Sequence, residues 1–289
     1  VLVSAIHGWC VLPRAQAAPN HCDGRGRRVP CGGDQTSRSP PACRRRGLGV
    51  TTPSRPELWG VLNVTPDSFS DGGLFTNSQR ALEHARELVD QGASVVDVGG
   101  ESTRPGATRV SAEDEISRVI PVVAALSSAG VRVSVDTMRA TTARAALDAG
   151  AGIINDVSGG LADPDMFALI ADSDADYVMM HWRGHSDTMD DRAHYDDVVA
   201  EVAQEVTARV NLAVESGISA DRILLDPGLG FAKTPAHNWE LLRNLSDAIP
   251  GPSRVVVGAS RKRFLGEVVS GEHEPRDRDG ASAALGVLL

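Results

Sequence analysis

The chain has 289 residues, 42% of them hydrophobic, and a formal net charge of −9, which allows one large α/β domain or two small ones. The charge is uneven: nine Arg and two Asp give the first 55 residues +7 and leave −16 on the remainder. An acidic body argues against general nucleic-acid binding, although a few local Arg or Lys residues suffice for an anionic substrate.

All four cysteines, Cys10, Cys22, Cys31 and Cys43, precede residue 44. Their spacing does not match a zinc site, and nothing later needs a disulfide, which predicts a reducing, cytoplasmic setting. No apolar run approaches the ~20 residues of a membrane helix, so no membrane partner is expected. Ala15-Gln16-Ala17 resembles a signal cleavage site but lacks a basic segment before it. Pro19 to Pro56 is rich in Arg, Pro, Gly and Cys without helical or strand period. Residues 1–56 are therefore expected to be a disordered or non-native extension, and 57–289 the folded domain.

From residue 57 the pattern changes. Leu58–Asn63 reads as a buried strand, followed by the polar loop Val64 to Gly73. Ser78–Gln91 has helical apolar spacing, and Ser94–Val98 is a second strand running into Gly99-Gly100-Glu101. Ser111–Ala129 reads as a helix with Ser111 and Asp114 as a cap pair. Val131–Val135, Gly152–Asn155, Asp176–Met180, Arg222–Leu225 and Arg254–Gly258 are further strands. Helices are predicted at 140–149, 163–171, 195–216, 237–245, 264–270 and 279–289. In the helix from Tyr195 to Ser216, Val198, Val199, Val202, Val206, Val210 and Val214 should point inward.

Seven β-then-α units with short apolar strands predict a parallel sheet covered on both faces. A (β/α)8 TIM barrel is the expected α/β fold. A doubly wound open sheet is the alternative, but no Gly-x-Gly-x-x-Gly turn follows the first strand. Seven units leave the eighth β/α unit of such a barrel missing from this chain.

The residues ending the strands are polar: Asn63, Glu101, Asp136, Asn155, His181, Asp226, and Ser260 with Lys262. A parallel barrel brings such positions to one rim. Singly, each Asp or Asn can be a helix cap or turn residue; together they point to a site. Two carboxylates and an amide suit a flat, nitrogen-rich ring, because a carboxylate accepts two parallel N–H bonds. Lys262 can donate to a ring carbonyl or nitrogen. Thr103 and Arg104 offer hydroxyl and forked guanidinium donors to phosphate, and Asn63 an oxygen to Mg²⁺ that keeps most of its waters. Phe69 and Phe231, in polar surroundings, are read as substrate contacts. His84, His185, His194, His237 and His273 show no metal spacing. Ser260 lacks a Gly-x-Ser-x-Gly elbow.

On these residues the sequence resembles the dihydropteroate synthase family, close to its actinobacterial form. The likeness covers residues 58–289. It is carried by Leu62 to Gly73, Asp97 to Gly106, Val135-Asp136-Thr137, Asn155 to Gly160, Asp226 to Phe231 and Gly258 to Lys262. The resemblance implies a TIM barrel that joins 6-hydroxymethyl-7,8-dihydropterin diphosphate to 4-aminobenzoate, with Mg²⁺ as cofactor. It also implies sulfonamides as competitors and a homodimer. Asp136, Lys262 and Asp226 would be catalytic and, with Asn155, line the pterin pocket. Thr103 and Arg104 would face diphosphate, with Asn63 near the metal. Pro105, Phe69, Phe231, Ser260 and Arg261 would complete the substrate-binding set. The family's eighth strand carries an Arg-x-His motif and its last helix serves the dimer. Both are absent here, so an exposed apolar edge, poor stability and weak or no activity are expected. A pterin-binding methyltransferase of the same superfamily and a non-catalytic pterin-binding paralogue are the alternatives.

Overall fold

The computed structural model describes residues 8–12, 56–64, 74–101, 109–185, 189–249, 251, 253–269 and 274–289. Its strands are β1 (Gly8–Leu12), β2 (Glu57–Asn63), β3 (Val95–Gly99), β4 (Val133–Asp136), β5 (Ile153–Asp156), β6 (Asp176–Met180), β7 (Ile223–Asp226) and β8 (Arg254–Val257). The helices are α1 (Leu74–Asp90), α2 (Ala112–Ser128), α3 (Ala140–Asp148), α4 (Met166–Ala171), α5 (Val198–Glu215), α6 (Pro235–Arg243), α7 (Leu245–Ala248) and α8 (Asp279–Leu288). The strands close in sequence order into one barrel, as the α/β barrel reading expects. From β2 to β8 every pairing is parallel.

Side chains in a strand alternate between two faces, and in a closed barrel one face is the interior. Val11, Trp59, Val95, Ile153, Val178, Leu224 and Val256, from seven different strands, form one buried cluster that fills the barrel's lower half. Beneath it, at the starts of the strands, Arg132 meets Glu57 at 3.3 Å and Asp176 at 3.2 Å, and Arg254 meets Asp176 at 2.9 Å. These partly exposed pairs contribute little individually. The opposite strand faces pack against the helices in a larger cluster that includes Leu62, Val96, Val98, Leu126, Ile154 and Leu225. Gly60 lets α1 sit close: a Cβ there would lie 2.9 Å from Leu88 Cδ1.

Local signals explain most element boundaries. Ser111 caps α2, its hydroxyl accepting from the Asp114 amide at 3.1 Å. Asp197 caps α5 through the Val199 and Ala200 amides. The helix expected from His237 instead starts at Pro235, because Thr234 and His237 form a capping box and proline is favoured in the first turn. Val214, expected inward, is 43% exposed while Ala213 is buried; the inward stripe reaches residue 213, seven on from Val206. Arg263–Val268 is a 3₁₀ helix where an α-helix was expected.

The first 56 residues are not wholly outside the fold. β1 lies between β2 and β8, antiparallel to both, with Gly8 opposite Gly60 and Val11 opposite both Glu57 and Val256. It therefore pairs the two edges that seven parallel strands leave open. The sequence reading missed it because a five-residue run separated from β2 by 44 residues carries no local strand pattern. Val11→Pro removes a backbone donor from a strand paired on both sides. It should cost about 1–3 kcal/mol, the scale of a buried carbonyl left without its donor, or roughly 2–12 °C in Tm for a domain of this size. A thermal melt unchanged from wild type would show that closure does not depend on β1.

Candidate active site at the strand C-termini

Strand register builds the site. Asn63, Gly99, Asp136 and Asn155 are aligned across β2 to β5. Asp97, Asn155 and Asp226 each follow by two residues a member of the interior apolar cluster, Val95, Ile153 and Leu224. They therefore face inward one layer higher. Gly99 leaves space between Asn63 and Asp136, since a Cβ there would be 3.6 Å from the Asn63 Oδ1 and 3.6 Å from the Asp136 Cβ.

This upper layer is polar, buried and incompletely paired. Asn155 Nδ2 donates to Asp97 Oδ2 at 3.1 Å. Asp226 Oδ1 accepts from the Gly228 amide at 2.7 Å. Asp97 Oδ1, Asn155 Oδ1 and Asp226 Oδ2 are buried and accept no hydrogen bond from any described residue. A buried acceptor without a donor is costly in a protein interior, so three on one layer are unlike ordinary packing.

Electrostatics follows from the same crowding. Burial pushes Asp136 well above the usual carboxylate range, and the negative charges of Asp97, Glu115, Asp156 and Glu101 add to it. Burial raises Asp97 to about 6, opposed first by the Ser134 hydroxyl and then by the hydrogen bond from Asn155. Burial also raises Asp226, opposed first by Lys262. Lys262 is lowered to about 8 by burial, with Asp226 and then Asp136 drawing its proton back. Lys262 Nζ donates to the Leu229 carbonyl and stands 4.7 Å from the centre of the Phe231 ring. Asp136, Asn155, Asp226, Lys262 and Phe231 are thus brought together as the sequence implies.

Other named residues fall differently. Asn63 is exposed at the rim and Ser260 is half-buried after β8. Arg261 turns its guanidinium to Asp279, with Nη2 to Oδ2 at 2.6 Å, and its amide donates to Ser282 at 2.9 Å; its side chain serves the packing of α8. Glu101 is held by Arg139 at 2.6 Å and Arg109 at 3.1 Å. Phe69, Thr103, Arg104 and Pro105 lie outside the described residues. His181 is buried, its ring bonded to Glu205 and Lys233. Asp97 is the residue that strand-end reasoning passed over. Its signal is a carboxylate in the middle of an otherwise apolar strand, two residues from an inward valine.

Among the described residues no helix is long and apolar enough to cross a membrane. An α/β barrel with buried, unpaired acceptors at the carboxyl ends of its parallel strands has the architecture of a barrel that takes a small molecule at that end. Comparison with known proteins narrows this class. The family model for pterin binding enzymes matches residues 59–288. The dihydropteroate synthase of Mycobacterium leprae (strain TN) is 49% identical over 234 residues, covering 80% of this chain and 82% of that protein. The Xanthomonas albilineans dihydropteroate synthase with 4-aminobenzoic acid superposes with TM-score 0.71 at 41% identity, covering 81% of this chain and 86% of that one. The Yersinia pestis dihydropteroate synthase in a sulfonamide drug complex gives TM-score 0.72 at 38% identity, with 81% and 86% covered. The chain belongs to the pterin-binding enzyme family.

Asp97 titrates with a predictable sign. Its folded-state value of about 6 lies above the ordinary 3.8. The stabilisation is therefore complete below the ordinary value and is lost as pH rises through the folded one. Without ligand, wild-type Tm should fall between about pH 4 and pH 7, the interval spanned by the unfolded and folded values, and Asp97→Asn should fall less. Parallel Tm–pH curves for the two proteins would contradict this.

Proposed function

We infer that the chain is a dihydropteroate synthase, joining 6-hydroxymethyl-7,8-dihydropterin diphosphate to 4-aminobenzoate to give 7,8-dihydropteroate and diphosphate. The observation that carries this reading is the set of three unpaired buried acceptors on Asp97, Asn155 and Asp226 beside the donor Lys262. A reduced pterin presents several N–H donors and a ring carbonyl along its edge, and it can satisfy all four groups at once.

In the reaction a C–N bond forms to the pterin methylene as its C–O bond to diphosphate breaks. The diphosphate leaves with the electron pair, and the attacking amine gives up one proton. Positive charge develops on the ring and methylene. Burial, and then the negative charges of its acidic neighbours, push the Asp136 carboxyl above its ordinary range, and positive charge arriving there would relieve that repulsion. A preorganised field of this kind stabilises the charge without reorganising in the transition state. Phe231, flanked by Lys262, would pack against the 4-aminobenzoate ring, whose carboxylate would sit near the residues after β8.

Mg²⁺ belongs to the same proposal. Asn63 is an exposed hard-oxygen donor at the rim, which fits an ion that keeps its waters and is shared with diphosphate oxygens. Bound there, the ion would neutralise charge on the departing diphosphate, a task the sequence also gives to Thr103 and Arg104. Competition by sulfonamides at the 4-aminobenzoate position is part of the same reading. So is a homodimer. A cytoplasmic location fits the absence of cysteine after residue 43.

Asp136→Asn should cut kcat about 100-fold, the scale of one lost electrostatic contribution, with the KM for 4-aminobenzoate changed by less than about threefold. A coupled assay for released diphosphate measures both. Wild-type turnover in the variant would remove Asp136 from the chemistry.

A further inference from the structure

The loop from Asp226 to Lys233 carries both halves of the site, and its backbone is held from two sides. Lys262 takes the Leu229 carbonyl from the side of β8. On the other side Lys233, 9% exposed, donates to the Gly228 carbonyl at 3.1 Å, the Phe231 carbonyl at 3.1 Å and His181 Nδ1 at 2.9 Å. Ala232 adopts a left-handed conformation, φ 47°, which turns the chain so that Lys233 points back beneath the loop it follows. That conformation is unfavourable for a residue with a Cβ, and the contacts of Lys233 brace it.

The anchor extends further. With His181 Nδ1 accepting from an ammonium, the ring proton resides on Nε2, which lies 3.0 Å from Glu205 Oε2. Glu205 in turn accepts from Arg183, whose guanidinium lies 3.8 Å from the Tyr195 ring centre. The His181 amide donates to the Asp226 carbonyl at 2.9 Å. The fit is close: a Cβ on Gly228 would lie 2.3 Å from the His181 carbonyl oxygen and 3.3 Å from Lys233 Nζ. Buried Lys233 and His181, with the partly exposed Glu205, thus form a chain from α5 to the underside of the loop.

Resting on the synthase reading, we propose that Lys233 is a positioning residue, which through His181 holds Phe231 at the 4-aminobenzoate side of the site. Asp226 does not need this tether, because β7 pairs with β6 at Met180 and Asp226. Phe231 lies five residues beyond the strand, and its own carbonyl is one of the three acceptors of Lys233.

The test uses the full chain as wild type, Lys233→Met, His181→Asn and His181→Leu. Lys233→Met should raise the KM for 4-aminobenzoate about tenfold and leave the KM for pterin diphosphate within about twofold. His181→Asn retains an acceptor near the Nδ1 position and should shift the 4-aminobenzoate KM less than His181→Leu. A general loss of structure would not divide the two substrates or the two His181 variants in this way. Without substrate, exchange of the Gly228, Gly230 and Phe231 amides should speed about tenfold in Lys233→Met and His181→Leu, and less in His181→Asn. Equal shifts in both KM values, or wild-type exchange in both disruptive variants, would overturn the proposal. Should Lys233→Met not fold, the two His181 variants carry the same comparison. A wild-type chain without turnover would count against the synthase reading alone, and the exchange rates would still decide whether Lys233 holds the loop.

Discussion

Burying carboxylates within and around the barrel wall, with few cations to balance them, is the condition around which the rest of the site is arranged. Asp97, Asp136, Asp156 and Asp226 all have their ordinary pKa raised by burial. An ionised carboxylate in such a place must be paired, hydrogen-bonded or neutralised. The chain uses all three answers, and which one applies separates residues that support the fold from residues open to a ligand.

Asn155 and Asp156 show the division within two consecutive positions. Alternation sends Asn155 into the barrel and Asp156 toward the helices. There Asp156 accepts from the Ser158 hydroxyl at 2.6 Å, the Ser158 amide at 2.8 Å, the Gly160 amide at 2.8 Å and the Tyr177 hydroxyl at 2.7 Å. Its hydrogen-bonding capacity is used up by the fold, and its role is to fix the turn after β5. Asn155 keeps one buried oxygen without a protein donor. The Arg139 cluster behaves like Asp156: its guanidinium reaches Glu101 and Glu115, both at 2.6 Å. It joins the end of β3 to α2 and the start of α3. Polar residues at strand ends are thus of two kinds, and only their hydrogen-bond partners tell them apart.

This explains what was legible in the sequence. The seven parallel strands and the rim residues Asp136, Asn155, Asp226 and Lys262 were readable because short apolar runs and polar endings are local patterns. Glu101 was readable as a strand-end residue, but its commitment to Arg139 was not, since that partner lies 38 positions away. Asp97 was hidden inside a strand, where only its alternation with Val95 and the hydrogen bond from Asn155, 58 positions away, reveal that it faces the site. Lys233 gave no sign either. Its role depends on the turn at Ala232 and on His181, fifty-two residues earlier. Pairings of this kind are tertiary, and no periodicity within one segment encodes them.

β1 is the extreme case, and its direction bears on the site. Filling an interior position asks only that alternate residues face inward, so an antiparallel strand serves as well as a parallel one. Trp9 packs against Gly258, where a Cβ would come within 3.0 Å of the indole, and Val11 joins the apolar layer. The rim is different. Gly8 pairs with Gly60 and Val11 with Glu57, so β1 runs from the rim toward the floor while its neighbours run upward. A parallel strand would deliver its carboxyl end, and the loop after it, to the substrate side. β1 delivers its carboxyl end to the floor. It closes the sheet and braces the start of the Ser260–Lys262 loop through Trp9, but the strand-end groups at the rim are supplied by β2 to β8. Closure of the barrel and the chemistry of its mouth are therefore separable in this chain, because the first depends on side-chain alternation and the second on strand direction.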